Sequence, residues 1–141
     1  MRRRGPLAAR LERLAGFATV FEAAGFVAGE LVMPASAPGV WTMPYVRYHP
    51  EVDRFVSSAY EDGWVRSDVA WGEWSQTPEA QSLRDDPKVL ATATLDQLAK
   101  LITVLVRQER FAEGSLMEAF EGGLVLGIVR RAEVLMEGAD I

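Results

Sequence analysis

The sequence contains no cysteine and a single histidine, His49. Without cysteine there is no thiol nucleophile, disulfide, iron–sulfur cluster or cysteine-ligated zinc. One histidine also excludes metal sites that need two or three imidazoles. The glycines Gly122, Gly123 and Gly127 do not follow a predicted strand and lack the rest of a nucleotide fingerprint. We therefore expect no metal and no cofactor, so an enzyme would depend on carboxylates for proton transfer.

Positive charge is scarce as well. The 141 residues carry 20 acidic and 15 basic side chains, giving a formal net charge of −5. This balance makes nucleic acid an unfavourable partner, because non-specific binding to a polyanion needs a basic surface. Arg2, Arg3 and Arg4 could form a basic arm, but residues 1–5 are more simply interpreted as a frayed, solvated terminus.

Long apolar segments are also missing. The longest purely apolar run, residues 122–129, is far shorter than the roughly 20 residues that cross a membrane. Arg10, Glu12 and Arg13 interrupt the segment where a signal peptide would need an apolar region. We therefore expect a cytoplasmic protein without a membrane partner.

Nothing in the sequence divides the chain. It has no repeat, low-complexity stretch or long linker, and 49% of its residues are hydrophobic. At this length, folding should remove roughly 70% of the extended chain's surface from water. The prediction is one domain over residues 1–141.

Hydrophobic periodicity predicts a mainly α (α+β) fold, a compact helical domain with a small two- or three-stranded antiparallel β element. Two strands are predicted at 26–33 and 40–48, and Trp64–Val69 is the candidate third strand. In the first half, helices are predicted at 7–24 and from His49-Pro50 to Gly63, with short helices after Thr77-Pro78 and Asp86-Pro87. In the second half, one helix is predicted from the capping box Thr94/Gln97 to about Ala112, and another starts at a second capping box, Ser115/Glu118. A last helix is predicted after Gly122-Gly123.

The densest polar cluster, Arg107, Glu109, Arg110 and Glu113, precedes a predicted corner at Gly114 between two helices. Helical spacing places both arginines on one stripe and both glutamates along a buried row. One interpretation is a structural clamp, in which the arginines pair with the carboxylates and Glu113 is neutralised by Arg110 or by the amides of the next helix.

A functional interpretation of the same cluster stays open. Arg107 and Arg110 could hold an anionic ligand bidentately. Glu113, Glu109 or Asp68 would then be the candidate catalytic acid or base of a small metal-independent enzyme.

Aromatic residues form a second cluster in the segment that contains Trp64, Asp68, Trp71, Glu73 and Trp74. With Trp41, this makes four tryptophans within 34 positions, and their two possible roles are a ligand slot and a plug for the core. Trp71 and Trp74 are the candidate ligand-binding residues. His49, directly before Pro50, is expected to start a helix rather than act as a general base.

The segment Thr103–Gly114 contains the pattern Arg-x-x-Arg-Phe-x-Glu-Gly. With Leu116, Phe120, Gly123 and Arg130-Arg131, it resembles the signature of a bacterial and archaeal family of unknown function. The resemblance covers about residues 39–131. Where family members often have a cysteine, this chain has Ala112. The resemblance implies no activity, ligand or catalytic residue.

These observations favour a non-catalytic binding or regulatory module, expected to be a homo-oligomer, whose pocket lies between the tryptophan segment and the Gly114 corner. A small anionic ligand or a protein is the expected partner. The alternative is the small enzyme described above.

Overall fold

The computed structural model describes residues 6–34, 38–39 and 43–139. It confirms a mainly α fold with one small antiparallel β element. Trp41 and the three arginines near the start lie outside the described residues. The elements in chain order are α1 (Pro6–Ala15), α2 (Phe17–Phe21), β1 (Gly29–Val32), β2 (Tyr45–Tyr48), α3 (Pro50–Glu61), α4 (Trp71–Trp74), α5 (Pro78–Asp85), α6 (Pro87–Leu90), α7 (Leu95–Glu109), α8 (Ser115–Glu121) and α9 (Leu124–Ala139).

The first predicted helix is two helices, because α1 ends at Ala15 and α2 begins at Phe17. Gly16 separates them, and glycine is a weak helix former. Leu11 and Leu14 of α1 are buried, and this helix packs mainly against α9. None of the helices in the described part of the chain combines the length and apolarity that a membrane crossing requires.

Phenylalanine rings join the helices of the core. Phe55 on α3 is 0% exposed. Its ring meets those of Phe17, Phe21 and Phe120 edge-on, with centroids 5.6, 5.8 and 6.1 Å apart. Such geometry places the positive edge of one ring against the negative face of another. The cluster therefore connects α2 and α3 to α8, which forms one side of the Gly114 corner.

The two strands pair antiparallel, with Leu31 opposite Val46 and Gly29 opposite Tyr48. The predicted third strand, Trp64–Val69, is wrong. Trp64 instead closes α3 by donating its backbone N–H to Ala59 (2.9 Å), and its side chain is 2% exposed in the core. The amide of Val65 also donates to the carbonyl of Ala59 (3.1 Å), and the amide of Arg66 donates to the buried Oγ1 of Thr103 (3.0 Å) on α7. Because these amides are bonded to α3 and α7, they cannot pair with a neighbouring strand, and the segment belongs to no sheet of the described structure.

Local capping signals are confirmed at four helix starts. His49 Nδ1 accepts from the amide of Glu51 (3.0 Å), so this histidine starts a helix as expected. Thr77 and Asp86 accept from amides in the first turns of α5 and α6. The capping box between Thr94 and Gln97 has both of its reciprocal bonds.

Arg13 of α1 and Asp62, the residue after α3, form a bidentate ion pair, with Nε–Oδ2 and Nη2–Oδ1 distances of 2.9 and 2.7 Å. The hydrogen bonds from Arg13 hold the pKa of Asp62 below its usual value. A lowered folded pKa stabilises the protein at pH values above the unfolded pKa of about 3.9. That stabilisation is lost as the pH falls through the folded pKa.

We therefore expect Arg13→Gln to be less stable than the wild type at neutral pH, with the difference closing on acidification. Urea unfolding of both proteins from about pH 7 to about pH 2 measures this difference. Arg110→Gln is the matched control, because Arg110 has no ion-pair partner within residues 6–34, 38–39 and 43–139. A difference for Arg13→Gln that is independent of pH would contradict the prediction.

Candidate functional site

The chain turns sharply where α7 meets α8. Helix α7 ends at Glu109, earlier than the predicted Ala112, and α8 begins at Ser115. Gly114 has a φ of 96°, a left-handed conformation that glycine adopts without steric cost. The predicted capping box at Ser115 is wrong, because Gly114 is the N-cap residue and the buried Ser115 Oγ has no hydrogen-bond partner in the described structure. Another group must therefore satisfy the free amides of α8.

Glu109 supplies that group. Its carboxylate accepts from the amides of Gly114 (3.1 Å) and Leu116 (3.0 Å), so the last residue of α7 caps the start of α8. The Tyr48 hydroxyl of β2 also donates to it, at 2.7 Å. Burial and the bond to Glu109 both raise the pKa of Tyr48, so the phenol stays protonated as the donor. Glu109 therefore joins two helices and the sheet.

Glu113 makes a second connection to the sheet. Its carboxylate accepts from the backbone amide of Val46 at 2.8 Å. The expectation that Arg110 or the amides of α8 would neutralise Glu113 is therefore wrong. The amides of α8 are already bound by Glu109, whereas the side chain of Glu113 points across to β2.

The two arginines take no part in this clamp. Neither Arg107 nor Arg110 forms a hydrogen bond or ion pair with any residue of the described ranges. Arg110 is exposed, and the guanidinium carbon of half-buried Arg107 lies 6.0 Å from the ring centroid of Tyr60. The clamp interpretation is therefore correct for the two carboxylates, which fasten the corner through backbone amides. It is wrong for the two arginines, whose guanidinium groups form no hydrogen bond or ion pair with the described residues.

An aromatic pair includes Phe111, the residue that follows Arg110 in the chain. Phe111 is 80% exposed, and its ring stacks on Trp71 of α4, with centroids 5.9 Å apart and planes at 28°. Sequence reasoning proposed Trp71 but missed Phe111. The available signal was its position directly after the last turn of α7, where the apolar stripe of that helix has ended.

Trp74, three residues after Trp71 on α4, has different partners. Its indole N–H donates to Glu79 Oε1 (2.7 Å), and Lys100 Nζ is 5.9 Å from its ring centroid. Trp74 borders a groove of about 480 Å³ that also contains Asp68, Glu73 and Arg66. The two candidate ligand-binding tryptophans thus have different neighbours, Phe111 for Trp71 and Glu79 with Lys100 for Trp74.

Asp68 is engaged by Arg66, which donates to both of its carboxylate oxygens at 3.1 and 2.8 Å. These hydrogen bonds lower the pKa of Asp68, which makes it a weaker base. Arg66 also binds Asp96 of α7 at 2.5 Å. Asp68 therefore belongs to an exposed ion-pair network, away from the carboxylates of the corner.

The three carboxylates considered for catalysis thus all have other partners. Glu109 and Glu113 accept backbone amides, and Asp68 is paired with an arginine. Within residues 6–34, 38–39 and 43–139, no group of three or more histidine, aspartate or glutamate residues is arranged to hold a metal ion. What the corner offers to a ligand is two guanidinium groups without an ion-pair partner among the described residues, and an exposed phenylalanine ring next in the chain to one of them.

Comparison with known proteins yields one match. A family described only as a family of unknown function (DUF6508) matches residues 6–138. No curated protein and no solved structure matches the chain. The matched range contains the Gly114 corner, the tryptophan segment and both strands.

Proposed function

We propose that this chain, which belongs to the DUF6508 family of unknown function, is a non-catalytic binding module that docks an acidic segment of a partner protein. The docking surface consists of Trp71, Arg107, Arg110 and Phe111, called here the aromatic–arginine surface. The observation that carries the proposal is the stacked pair of Trp71 and the largely exposed Phe111, next in the chain to an arginine without an ion-pair partner among the described residues.

The exposed ring of Phe111 gains little of the stabilisation that burial in the core would provide. A buried phenylalanine is stabilised by roughly 2 kcal/mol relative to an exposed one, and Phe111 forgoes most of that gain. Aromatic and arginine side chains are the types enriched at protein interfaces and at their energetic centres. A partner that covers Phe111 and Trp71 would bury this apolar area.

The two arginines define the charge of the partner. A guanidinium group without a carboxylate of its own can bind an incoming carboxylate with two parallel hydrogen bonds. Arg107 and Arg110 lie three residues apart at the end of α7, which places them on the same side of the helix. An acidic segment that also carries apolar side chains matches both halves of this surface.

The arrangement supports a docking surface over a catalytic site. The carboxylates nearest in the chain, Glu109 and Glu113, hold the corner together by accepting hydrogen bonds from backbone amides. Protonation of either carboxylate during catalysis would weaken these hydrogen bonds. Phe111 stands out from the surface, whereas small-molecule sites enclose most of their ligand in a concavity.

Selection from a library of displayed short peptides tests the proposal. We expect selected peptides to combine Asp or Glu with Trp, Phe or Leu, and to lose affinity as salt is added. Fluorescence anisotropy should show about tenfold or greater loss of affinity for Phe111→Ala and for Arg110→Ala, since both remove a central contact. Val27→Ala and Arg54→Ala are the controls, because Val27 is an exposed apolar side chain and Arg54 an exposed arginine, and neither belongs to the aromatic–arginine surface.

Three outcomes would contradict the proposal. One is selection of no peptide at all, or only of basic and neutral ones. Another is equal affinity for the wild type and both surface variants. The third is a wild-type dimer that Phe111→Ala converts to a monomer in sedimentation velocity, since the surface would then bind a second copy of this chain.

A further inference from the structure

A second place in the fold gathers positive charge. Arg84 of α5 and Arg130 and Arg131 of α9 surround a cavity of about 280 Å³, with Leu90 and Val134 among its apolar lining. We call this cavity the arginine cleft. No acidic residue of the described chain lines it, although the protein as a whole has a net charge of −5.

Glycines allow close packing at the start of α9. Gly122 and Gly123 precede the helix, Gly127 follows one turn later, and all three line the cleft. A Cβ atom at Gly127 would lie only 2.5 Å from Cδ2 of Leu90, so this glycine lets a side chain of α6 press against the helix backbone. The close fit makes a tight apolar base for the cleft.

Each guanidinium group is anchored through one nitrogen. Arg131 Nε donates to the carbonyl of Ala93 at 2.8 Å, and Arg84 Nε donates to Asp85 at 3.2 Å. Arg130 binds Glu22 through Nη2. The other nitrogens have no protein acceptor within the described ranges, and each can donate to a ligand.

Arg131 is the least neutralised of the three. It is half-buried, and its only hydrogen-bond partner in the part of the chain that the structure describes is a neutral carbonyl group. A charge that is partly removed from water and has no counter-ion is costly unless an anion occupies its surroundings. The cleft therefore presents a net positive charge held in place above apolar side chains.

From this combination we infer that the arginine cleft binds a compact organic anion, a carboxylate or phosphate head group on a small apolar body. The head group accepts hydrogen bonds from the guanidinium groups, and the body lies against Leu90 and Val134. The volume is at the small end of the range for ligand pockets, which limits the body to about one ring or a short branched chain. This site is separate from the aromatic–arginine surface, so either can fail without the other.

Titration of the full-length protein, followed by amide chemical shifts, tests the inference with four probes: benzoate, phenyl phosphate, benzyl alcohol and inorganic phosphate. Benzoate and phenyl phosphate should shift the amides of Ala91, Gly122, Gly123 and Gly127 saturably. Benzyl alcohol lacks the charge and inorganic phosphate lacks the ring, so each should bind about tenfold more weakly or worse. Equal binding of all four probes, or shifts confined to other residues, would overturn the inference.

Two variants test the site through exposed positions, where folding is not at risk. Arg84 is 46% exposed and Val134 is 53% exposed. Arg84→Gln should lower the affinity for phenyl phosphate about tenfold, because it removes one charged donor. Val134→Trp should abolish the binding of phenyl phosphate, because the larger side chain fills the cleft. Arg54→Gln, an arginine change on α3, should leave the affinity as in the wild type. Unchanged binding to both cleft variants, or a loss in Arg54→Gln as large as theirs, would count against the site.

Discussion

Replacing Glu109 with alanine is expected to lower the free energy of unfolding by about 2–4 kcal/mol. The carboxylate accepts three donors that have no alternative acceptor in the described structure: the amides of Gly114 and Leu116 and the hydroxyl of Tyr48. Hydrogen bonds to a charged group are stronger than neutral ones, and donors left without partners in partly buried positions are costly. Helix α8 would also lose the group that caps its first turn.

Urea unfolding followed by circular dichroism measures this loss. Glu109→Gln retains one carbonyl oxygen but no charge, so about half of the destabilisation is expected. Glu137→Ala, which removes an exposed carboxylate from α9, should change stability by less than about 0.5 kcal/mol. If Glu109→Ala matched this control, the carboxylate would not be holding the corner.

Phe55→Ala is expected to cost still more, about 3–5 kcal/mol of unfolding free energy. Its ring is fully buried and contacts three other phenylalanine rings from α2 and α8. Removing it takes away the transfer free energy of the ring and leaves a cavity that rigid neighbours can fill only partly. Because Phe120 belongs to α8, the loss should also loosen the Gly114 corner.

The chain offers a matched control for this substitution. Phe111→Ala removes the same atoms from a ring that is 80% exposed, so stability should change by less than about 0.5 kcal/mol. Thermal and urea unfolding of the two variants side by side would show a large difference in midpoint. Comparable destabilisation in both would mean that Phe111 supports the fold, and would remove the main support for the aromatic–arginine surface.

The sequence predicted the helix starts well because capping is local. A cap joins residues two or three positions apart, as Thr94 and Gln97 do, so its pattern is visible in a short window. Ser115 and Glu118 show where this reasoning stops. Their spacing fits a capping box equally well, yet the amides that such a box would bind have other acceptors: Glu118 donates to the carbonyl of Gly114 (3.1 Å) and Ser115 to that of Ala112 (3.0 Å).

The candidate site was harder to predict because its bonds span long distances along the chain. Tyr48 and Glu109 are 61 positions apart, and Val46 and Glu113 are 67 apart. Periodicity placed the polar residues around Gly114 at one corner. It could not show that the two glutamates would bind backbone amides and leave the arginines unpaired, since that choice depends on where β2 docks.

Exposure of Phe111 was equally hidden. An aromatic residue next to a buried helical stripe is normally assigned to the core, because hydrophobic side chains favour the interior. The candidate third strand at Trp64–Val69 has a different origin, a loose alternation of a tryptophan and valines with charged residues. There the tryptophan is indeed buried, but it enters a helical core and not a sheet.

The bond between Glu113 and Val46 also occupies an amide at the edge of the two-stranded sheet. A two-stranded sheet has open borders, and unpaired amides there can recruit strands from other chains. The amide of Val46 is occupied by a carboxylate, so an incoming strand would have to displace it and would meet a negative charge. Glu113 thus covers one of the backbone positions through which another chain could pair with β2.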